Sequence, residues 1–410
     1  MKLVALLGLV RSLTLSVAVA TVDADPEALV NVDPDAGVNV TTIVQRRGYA
    51  VEKHKVSTID NYILTMYRLP KSYDETQQNK PAAPNKPAVY LIHGLLDSSF
   101  TWVSNFRNQS LAYILADAGY DFYKTSDAQF WDFSWEEMGT YDLPAMLKYA
   151  LKVSGRPTIS YIGHSEGTTQ AFVGFSLDQA LAKRVSYFAA LGPVAYIADA
   201  TSAPFLALAK GYVDKWLETF GVSEFGSRST VFHDIINTYG CSFPQAPCDS
   251  IIQLVVGPSQ NLNTSRIHVY ISQTPAGTSV KTMGHYAHGI RDNTFRRYDY
   301  GCSCSRLLPI SLCSSLICKN KASYGAFDPP PYDLGNMKYP RISLFKGADD
   351  SLATPKDIAK LRAQLPRGTI VTEMTINNFN HLDYSWAFNA REKVYDELIA
   401  QLKQYEGKGY

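Results

Sequence analysis

Two features are missing from this chain: an excess of charge of either sign and a long uninterrupted apolar run. The 410 residues include 39 Lys and Arg and 38 Asp and Glu, which gives a net charge of +1. A surface so balanced does not steer a protein toward nucleic acid, and we expect no nucleic-acid partner. No stretch after residue 20 is long enough to span a bilayer. With 46% hydrophobic and 19% charged residues, the composition is that of a globular protein with a large core.

The N-terminus has the pattern of a secretory signal peptide. Met1-Lys2 precedes the apolar residues 3–10, and a second apolar run after Arg11 ends in Ala18-Val19-Ala20. One charge, an apolar region and an A-x-A ending predict cleavage near Ala20 and a mature protein in the secretory pathway, secreted or lysosomal. A short membrane anchor is the alternative. The run is too short and too interrupted to span, so we expect no transmembrane segment in the mature protein.

Cysteine is scarce, but its even number fits a protein of the secretory pathway, and so do three potential N-glycosylation sites. The six cysteines form two groups: Cys241 with Cys248, and Cys302, Cys304, Cys313 and Cys318. We predict disulfides, with Cys241 and Cys248 as one candidate pair. The C-x-C and C-x4-C spacing of the second group leaves a zinc site as the alternative. The acceptor residues of the three N-x-S/T sequons are Asn39, Asn108 and Asn263.

Strands and helices alternate along the middle of the chain, which predicts a doubly wound, mainly parallel sheet of the α/β class. The buried strand Ala88–Ile92 opens this alternation, which continues to about residue 192, and no internal repeat or low-complexity segment interrupts it. The alternation stops at Pro193 and resumes at Arg341–Phe345. We therefore predict a loose N-terminal arm over 21–44, a core in two parts over 45–199 and 333–406, and an inserted, mostly helical cap over 200–332.

The predicted cap carries apolar side chains at roughly helical spacing. They are Phe205, Leu206, Leu208, Trp216, Leu217 and Phe220. An insertion at this point of such a sheet lies over the carboxyl ends of the strands, where ligands bind. We therefore expect some of these side chains to face a cleft beneath the cap, and the others to form the cap's own core.

The sequence contains a G-x-S-x-G motif, Gly163-His164-Ser165-Glu166-Gly167. The residues around it predict the strand and the helix that a catalytic motif of this kind requires. A short β-branched and aromatic strand precedes it, and a segment compatible with a helix follows. Strand, tight turn and helix form the nucleophile elbow, in which the serine hydroxyl is exposed and the flanking backbones pass too close for side chains. We predict that Ser165 is a catalytic nucleophile. An ordinary glycine turn with a serine cap is the alternative.

A serine hydroxyl needs a base within hydrogen-bond reach and an acid that orients the base. His381 follows the late strand Ile370–Ile376 and is the candidate base. Asp349 and Asp350 both follow the strand before it, and the residues alone leave both open as the acid. The backbone N–H groups of Leu95 and Glu166 are the candidate oxyanion hole, because one follows the nucleophile and the other follows strand Ala88–Ile92.

These motifs resemble the acid lipase family, the gastric and lysosomal acid lipases among the α/β-hydrolases. The matching stretches are Arg47–Pro70, Leu91–Trp102, Leu115–Asp121, Tyr141–Ala145, Gly163–Gly167, Pro275–Ser279 and Asn380–Asp383. The resemblance implies a triad of Ser165, Asp350 and His381, because Asp350-Ser351-Leu352-Ala353 carries the family's D-x-L-A pattern. It also implies a cap over an acyl-binding cleft, activity on acylglycerols or sterol esters at a lipid–water interface, and no metal or cofactor.

The sequence departs from the family pattern at several places. Glu166 stands where many relatives have glutamine, and its charge is unfavourable beside an oxyanion unless it points away. The family's longer loop after strand Tyr120–Tyr123 is largely missing at Lys124. Residues 301–318 match no family segment, and the spacing of Cys241 and Cys248 differs. Two alternative functions therefore stay open: a catalytically impaired lipid-binding relative, and an esterase or thioesterase for small acyl groups.

Overall fold

The computed structural model describes residues 33–126, 131–226, 248–305 and 312–410. The predicted signal peptide over 1–20, the first part of the arm and Cys241 lie outside these ranges. Residues 34–410 form one compact unit. Among the described residues no helix is both long enough and apolar enough to cross a bilayer.

An eight-stranded sheet forms the centre of this unit, and it is parallel except at one edge. In chain order the described strands are β1 Glu52–Ser57, β2 Ile63–Leu69, β3 Ala88–Ile92, β4 Asp121–Ser126, β5 Ile159–His164, β6 Val185–Leu191, β7 Glu224–Phe225, β8 Thr278–Ser279, β9 Cys302–Ser305, β10 Leu312–Cys318, β11 Ile342–Gly347 and β12 Ile370–Ile376. The order across the large sheet is β1-β2-β4-β3-β5-β6-β11-β12. Only β2 pairs antiparallel with both of its neighbours.

Helices cover both faces of the sheet and build most of the insertion. They are α1 Val40–Arg46, α2 Tyr73–Gln77, α3 Leu111–Asp117, α4 Trp135–Glu137, α5 Leu143–Ser154, α6 Glu166–Leu177, α7 Gln179–Ala182, α8 Ala203–Lys210, α9 Val213–Thr219, α10 Cys248–Val256, α11 Ile267–Ile271, α12 Val280–Asp292, α13 Lys319–Tyr324, α14 Pro355–Gln364, α15 Asp383–Trp386 and α16 Asp396–Tyr405. A π-helical turn, Met138–Asp142, leads into α5, and another, Arg391–Tyr395, leads into α16.

Each central strand contributes side chains to two cores, one on each face of the sheet. On β3, Tyr90 and Ile92 belong to the core beneath α5 and α6, whereas Val89 and Leu91 belong to the core beneath α3 and α16. All residues of β3, β5 and β6 are buried. Burial on both faces is the condition under which a parallel strand reads as a continuous apolar run, so the predicted doubly wound fold is confirmed.

The segment over residues 71–87, between β2 and β3, contains one short helix, α2. Ser72 caps it by accepting a hydrogen bond from Glu75 N at 3.2 Å, and Glu75 Oε2 accepts one from Ser72 N at 2.7 Å. This reciprocal capping box satisfies two backbone donors at the helix start. The signal is present in the sequence as S-x-x-E, but no apolar run follows it to indicate a helix.

The described part of the inserted segment contains α8 to α13 and two small two-stranded sheets, β7–β8 and β9–β10. A disulfide joins Cys302 to Cys318 across β9 and β10. The zinc alternative for this cysteine group therefore fails, because two of the four thiols are bonded to each other. Among the described residues no group of three or more His, Cys, Asp or Glu side chains could hold a metal ion.

The prediction of a loose arm over 21–44 is wrong for the described part of that segment. Ile43 and Val44 of α1 are fully buried, and Asp35 is 2% exposed. Asp35 Oδ2 accepts a hydrogen bond at 3.0 Å from Arg266 Nη1, whose side chain is 1% exposed, and it also contacts Arg47. Arg266 in turn donates from Nε and Nη2 to the carbonyl of Ser104. This buried ion pair attaches the segment to the base of the insertion.

We predict that Asp35→Ala lowers the free energy of unfolding by about 3–5 kcal/mol, because it removes a buried carboxylate that pairs with the buried guanidinium of Arg266. Urea denaturation followed by circular dichroism measures the change. Asp132→Ala is the matched control: Asp132 also faces a cation, Lys281, at 3.4 Å, but its side chain is 94% exposed. An exposed pair of this kind contributes about 0–1 kcal/mol. Equal losses in the two variants would contradict the assignment.

Candidate active site

Ser165 occupies a strained turn between β5 and α6. Its backbone has φ 52° and ψ −118°, a region that non-glycine residues rarely adopt. The flanking glycines allow the tight turn: a Cβ on Gly163 would lie 2.8 Å from the backbone of Gly167, and one on Gly167 would lie 2.6 Å from the carbonyl oxygen of Ile92. The strained turn presents the hydroxyl of Ser165 at the carboxyl end of β5.

The structure brings Ser165, His381 and Asp350 together in one hydrogen-bond chain. The Ser165 hydroxyl donates to His381 Nε2 at 2.7 Å, and His381 Nδ1–H donates to Asp350 Oδ2 at 2.8 Å. His381 is 3% exposed and Asp350 is 4% exposed. The arrangement can move a proton from the hydroxyl to the imidazole while the carboxylate fixes the tautomer.

The two candidate acids, Asp349 and Asp350, take different positions in the turn after β11. Asp350 Oδ1 accepts hydrogen bonds from Leu352 N and Ala353 N, both at 2.8 Å, so its carboxylate is oriented from two sides. Asp349 is half-buried, and its backbone N–H donates to Phe379 O. Only Asp350 reaches the imidazole of His381.

Three side chains whose roles the sequence did not indicate position the His381 loop: those of His164, Asn380 and Asp383. His164 Nε2–H donates to the main-chain carbonyl of His381 at 2.7 Å, and burial together with the nearby His381 lowers the pKa of His164 to about 3, so it is neutral. Asp383 Oδ2 accepts from Asn380 N at 2.8 Å, and Asn380 Oδ1 accepts from Leu382 N at 2.9 Å. These bonds fix the backbone on both sides of the imidazole.

The insertion also supports the triad. The carbonyl of Val256, the last residue of α10, accepts hydrogen bonds from Ser351 N at 3.2 Å and His381 N at 3.3 Å. The next residue, Gly257, accepts from the side chain of Asn380 at 2.8 Å. One backbone segment of the insertion therefore holds the acid loop and the histidine loop together. No side-chain pattern could have indicated this, because the acceptors are main-chain carbonyls.

The candidate oxyanion hole lies directly against the nucleophile. A Cβ on Gly94 would meet Ser165 Cβ at 2.9 Å and Ser165 Oγ at 3.5 Å, so only glycine lets the loop after β3 come this close. Neither Leu95 N nor Glu166 N has a hydrogen-bond acceptor in the described part of the chain. Glu166 is the first residue of α6, where the backbone N–H points out of the helix end. Both groups are free to bind an oxygen that develops negative charge.

The side chain of Glu166 turns inward. It is 3% exposed, and Tyr286 on α12 is one of its neighbours. Burial raises the pKa of Glu166 to about 8, so the carboxyl is neutral below that pH. The sequence-based concern about a negative charge beside the oxyanion does not apply while this proton is held.

A cavity of about 180 Å³ lies behind the loop after β3. Gly94 and Glu166, which flank Ser165, form part of its wall. Ten other lining residues are aromatic or aliphatic: Tyr62, Ile63, Leu64, Tyr90, Ile92, Leu96, Trp131, Phe133, Met138 and Met146. Four more are acidic: Asp60, Asp97, Glu137 and Asp142. The aromatic and aliphatic part of this lining suits a hydrocarbon chain.

The three sequon asparagines have different environments. Asn39 and Asn108 are exposed, and Asn39 caps α1 by accepting from Thr42 N. Asn263 is 9% exposed, and its Nδ2 donates at 3.0 Å to both Asn105 Oδ1 and Gln109 Oε1. A glycan on Asn263 would displace these buried bonds, so the structure disfavours the prediction at this residue.

Comparisons with known proteins agree with the fold and indicate the family. The model described as a partial alpha/beta-hydrolase lipase region matches residues 40–106, and the model described as the alpha/beta hydrolase fold matches residues 87–388. A soluble variant of monoglyceride lipase from Saccharomyces cerevisiae has a similar structure, with a TM-score of 0.51 and 13% sequence identity. That similarity covers 87% of this chain and 96% of the yeast chain.

The relatives found by sequence comparison have a higher sequence identity to this chain than the yeast structure does. Human gastric triacylglycerol lipase is 34% identical over 389 residues, covering 89% of this chain and 91% of that protein. Human lysosomal acid lipase/cholesteryl ester hydrolase is 34% identical over 387 residues, covering 90% and 91%. Mouse lipase member K is 33% identical over 385 residues, covering 89% and 91%. The similarity therefore extends over nearly the whole length of both partners.

We predict that Asp350→Asn lowers kcat on a soluble nitrophenyl ester by about 10³–10⁴-fold, because an asparagine stabilises the wrong imidazole tautomer. Asp349→Asn, one residue away and half-buried, is the matched control and should change kcat less than about threefold, as surface substitutions usually do. Circular dichroism checks that both variants fold. Similar losses in both, or a larger loss in Asp349→Asn, would overturn the assignment of the acid.

Proposed function

Because the chain belongs to the family of gastric and lysosomal acid lipases and is a carboxylic ester hydrolase, we propose that it is a serine lipase. Its substrates are the ester bonds of acylglycerols or sterol esters, which are the substrate classes in the names of the two human relatives. The observation that carries the proposal is the hydrogen-bond chain from Ser165 through His381 to Asp350.

In the first half of the reaction, His381 Nε2 takes the proton of Ser165 as Oγ attacks the ester carbonyl. Asp350 stabilises the imidazolium through the bond to Nδ1–H. The carbonyl oxygen becomes an oxyanion, and the N–H groups of Leu95 and Glu166 bind it. Loss of one such donor typically costs about 3 kcal/mol of transition-state stabilisation. The imidazolium then protonates the leaving alcohol, and an acyl-enzyme remains.

Water completes the cycle in the second half. His381 deprotonates a water molecule, which attacks the acyl carbonyl, and the same hole stabilises the second oxyanion. Proton return from the imidazolium to Ser165 releases the fatty acid. The triad side chains and the two backbone N–H groups do all of this by proton transfer and charge stabilisation, and we propose no metal or cofactor in the reaction.

The cavity behind the loop after β3 supports a lipid substrate over a small soluble ester. About half of its lining residues are aromatic or aliphatic, and it adjoins Gly94 and Glu166. Burying a methylene group in such a site is favourable by about 0.8 kcal/mol. Rates that rise with chain length on soluble esters distinguish the lipase from the esterase or thioesterase alternative.

We propose that the protein enters the secretory pathway and is secreted or lysosomal. The predicted signal peptide, the exposed sequons at Asn39 and Asn108, and the Cys302–Cys318 disulfide support this location. A disulfide between Cys241 and Cys248 remains a prediction.

The catalytically impaired alternative rests on the short segment after β4. Lys124 lies within β4, which pairs with β2 and β3. The missing loop therefore does not disrupt the sheet, and the triad distances favour an active enzyme over a lipid-binding relative.

We predict that a fluorophosphonate probe labels the protein once, at Ser165, because the probe reacts with a serine activated by a neighbouring base. Ser165→Ala should lose both the label and at least about 10³-fold of the esterase turnover while remaining folded. Mass spectrometry of the labelled peptide identifies the residue. Wild-type protein that folds but takes no label would support the impaired alternative.

The apolar side chains that the sequence places on the cap include one set in the insertion's own core and one set that is exposed. This division bears on the expectation that some of them face a cleft. Phe205, Leu208 and Leu217 face α12 and Met283 in the insertion's own core. Trp216 and Phe220 are 62% and 73% exposed, and their rings stack 6.3 Å apart. They face solvent and not the cleft, so we propose that this aromatic pair contacts the lipid surface.

We predict that activity rises sharply when an ester substrate passes its solubility limit, and that Trp216→Ser or Phe220→Ser lowers the rate on an emulsion about 3–10-fold, since each variant loses buried apolar area at about 25 cal/mol per Å². The rate on a soluble ester should stay within twofold. Phe388→Ser, which alters an aromatic side chain that is 50% exposed outside the insertion, is the control. Simple saturation through the solubility limit in all variants would exclude interfacial recruitment.

A further inference from the structure

The cavity behind the loop after β3 has an acidic lining as well as an aromatic and aliphatic one. Five carboxyl groups line it: Asp60, Asp97, Glu137, Asp142 and Glu166. The lining residues that the structure describes include no lysine or arginine. A hydrocarbon chain makes no use of a carboxyl group. The cavity therefore has more acidic character than the binding of an acyl chain requires.

One of these carboxyls is almost fully buried and has an oxygen without a hydrogen bond. Glu166 is 3% exposed, and its Oε1 has no partner in the described part of the chain. Asp60 Oδ1 is in the same condition, but Asp60 is half-buried and follows Ile59, which is 84% exposed, so water reaches this turn. Buried acceptors are nearly always paired in folded proteins. The unpaired oxygen of Glu166 therefore points to a ligand that donates a hydrogen bond in the cavity.

The part of the cavity next to Ser165 brings two carboxyl groups together. Glu166 directly follows the nucleophile, and Asp97 N donates at 3.3 Å to the carbonyl of Gly94, which lies against Ser165. Burial raises the pKa of Glu166 to about 8 and that of Asp97 to about 7. The ring of His93 also lines the cavity, and its Nδ1 lies 3.0 Å from Gly94 O. At a pH where this imidazole is neutral, a bound cation would supply the counter-charge for both carboxyls.

The part of the cavity at the turn between β1 and β2 is already close to a cation. Lys281 Nζ lies 2.7 Å from Glu137 Oε1 and 3.4 Å from Asp132 Oδ1. The hydroxyl of Tyr62 donates to Asp132 O at 3.4 Å, and the rings of Tyr62 and Phe133 meet edge to face with centroids 6.2 Å apart. These aromatic surfaces suit a hydrocarbon chain, whereas the charge of Lys281 opposes a second cation there.

We propose that the cavity binds a long-chain amine, with its ammonium group at Glu166 and Asp97 and its hydrocarbon chain along the aromatic lining toward the turn between β1 and β2. An ammonium group has three N–H donors and a positive charge, so it satisfies the free oxygen of Glu166 and neutralises a carboxylate. A fatty acid in this orientation would bring its own carboxylate against the two carboxyls. An alcohol would donate one hydrogen bond without charge. The site therefore selects a cationic amphiphile over a neutral or anionic one of equal length.

The test measures binding by isothermal titration calorimetry at pH 8, with octylammonium, octan-1-ol and octanoate as probes. At this pH an alkylammonium is charged like a lysine side chain, whose pKa is about 10.4, and an imidazole with a pKa of about 6.5 is neutral. Octylammonium should bind at least about tenfold more tightly than octan-1-ol, as a hydrogen bond between charged groups provides, and octanoate should bind more weakly than either. Equal affinities for the amine and the alcohol would overturn the proposal and assign the free oxygen to an ordinary water molecule.

Substitutions locate the ammonium group. Glu166→Gln keeps the size of the side chain but cannot carry a charge, so it should weaken octylammonium about tenfold and octan-1-ol less than twofold. Asp97→Asn should also weaken only the amine, and it keeps the proposal testable if Glu166→Gln does not fold. Circular dichroism checks the folding of each variant.

Two further carboxyls serve as matched controls. Asp60→Asn alters a carboxyl at the other part of the same cavity, and Asp132→Asn alters one that is 94% exposed outside it. Both should change the affinity for octylammonium less than about twofold. Loss of amine binding in Asp60→Asn together with unchanged binding in Glu166→Gln and Asp97→Asn would contradict the proposed site.

Turnover gives a second readout. In the proposed lipase the amine and the acyl chain occupy the same space, so octylammonium should raise KM for a soluble nitrophenyl ester and leave kcat unchanged. A fall in kcat at constant KM would place the amine outside the cavity and overturn the proposal. This readout rests on the proposed function, whereas the calorimetric one does not. Amine binding without any turnover would refute the function alone, and turnover without amine binding would refute only this inference.

Discussion

The strained backbone at Ser165 is the constraint on which the rest of the site depends. A residue at φ 52° and ψ −118° costs about 1–3 kcal/mol, and surrounding contacts must hold it. Ser165 N donates to Leu191 O in β6, and the side chain of Thr168 donates to Ser165 O at 2.6 Å. The buried sheet and α6 therefore fix the hydroxyl before any substrate arrives, which is the condition for efficient electrostatic catalysis.

The insertion contacts the candidate site at two places. Val256 O holds the acid and histidine loops together, and Tyr286 is a neighbour of the residue that follows the nucleophile. The packing of the insertion on the sheet therefore helps to set the positions of the groups around Ser165.

Several carboxyls close to the reaction centre sit in environments that favour their neutral forms. Desolvation raises the pKa of Glu166 to about 8, that of Asp97 to about 7 and that of Asp383 to about 6. Asp350 differs from them in its contacts, because it accepts hydrogen bonds from two backbone N–H groups and from His381. These three bonds fix the orientation of its carboxyl group toward the imidazole.

The sequence by itself determined the elbow, the histidine and the α/β class, because these depend on local patterns: glycines two residues on either side of a serine, apolar strands, and positions just after strands. Their position after the same strand left Asp349 and Asp350 equivalent, and only the family's D-x-L-A pattern pointed to Asp350. Packing decides which of the two is buried toward the imidazole. The sequence predicted a loose arm where Asp35 is fixed by an arginine 231 residues away. The neighbours of Glu166 and His381 were also hidden, because Tyr286 and the carbonyl of Val256 meet them only after the insertion folds onto the sheet. Contacts between distant segments carry no short-range signal, and the tertiary structure alone decides them.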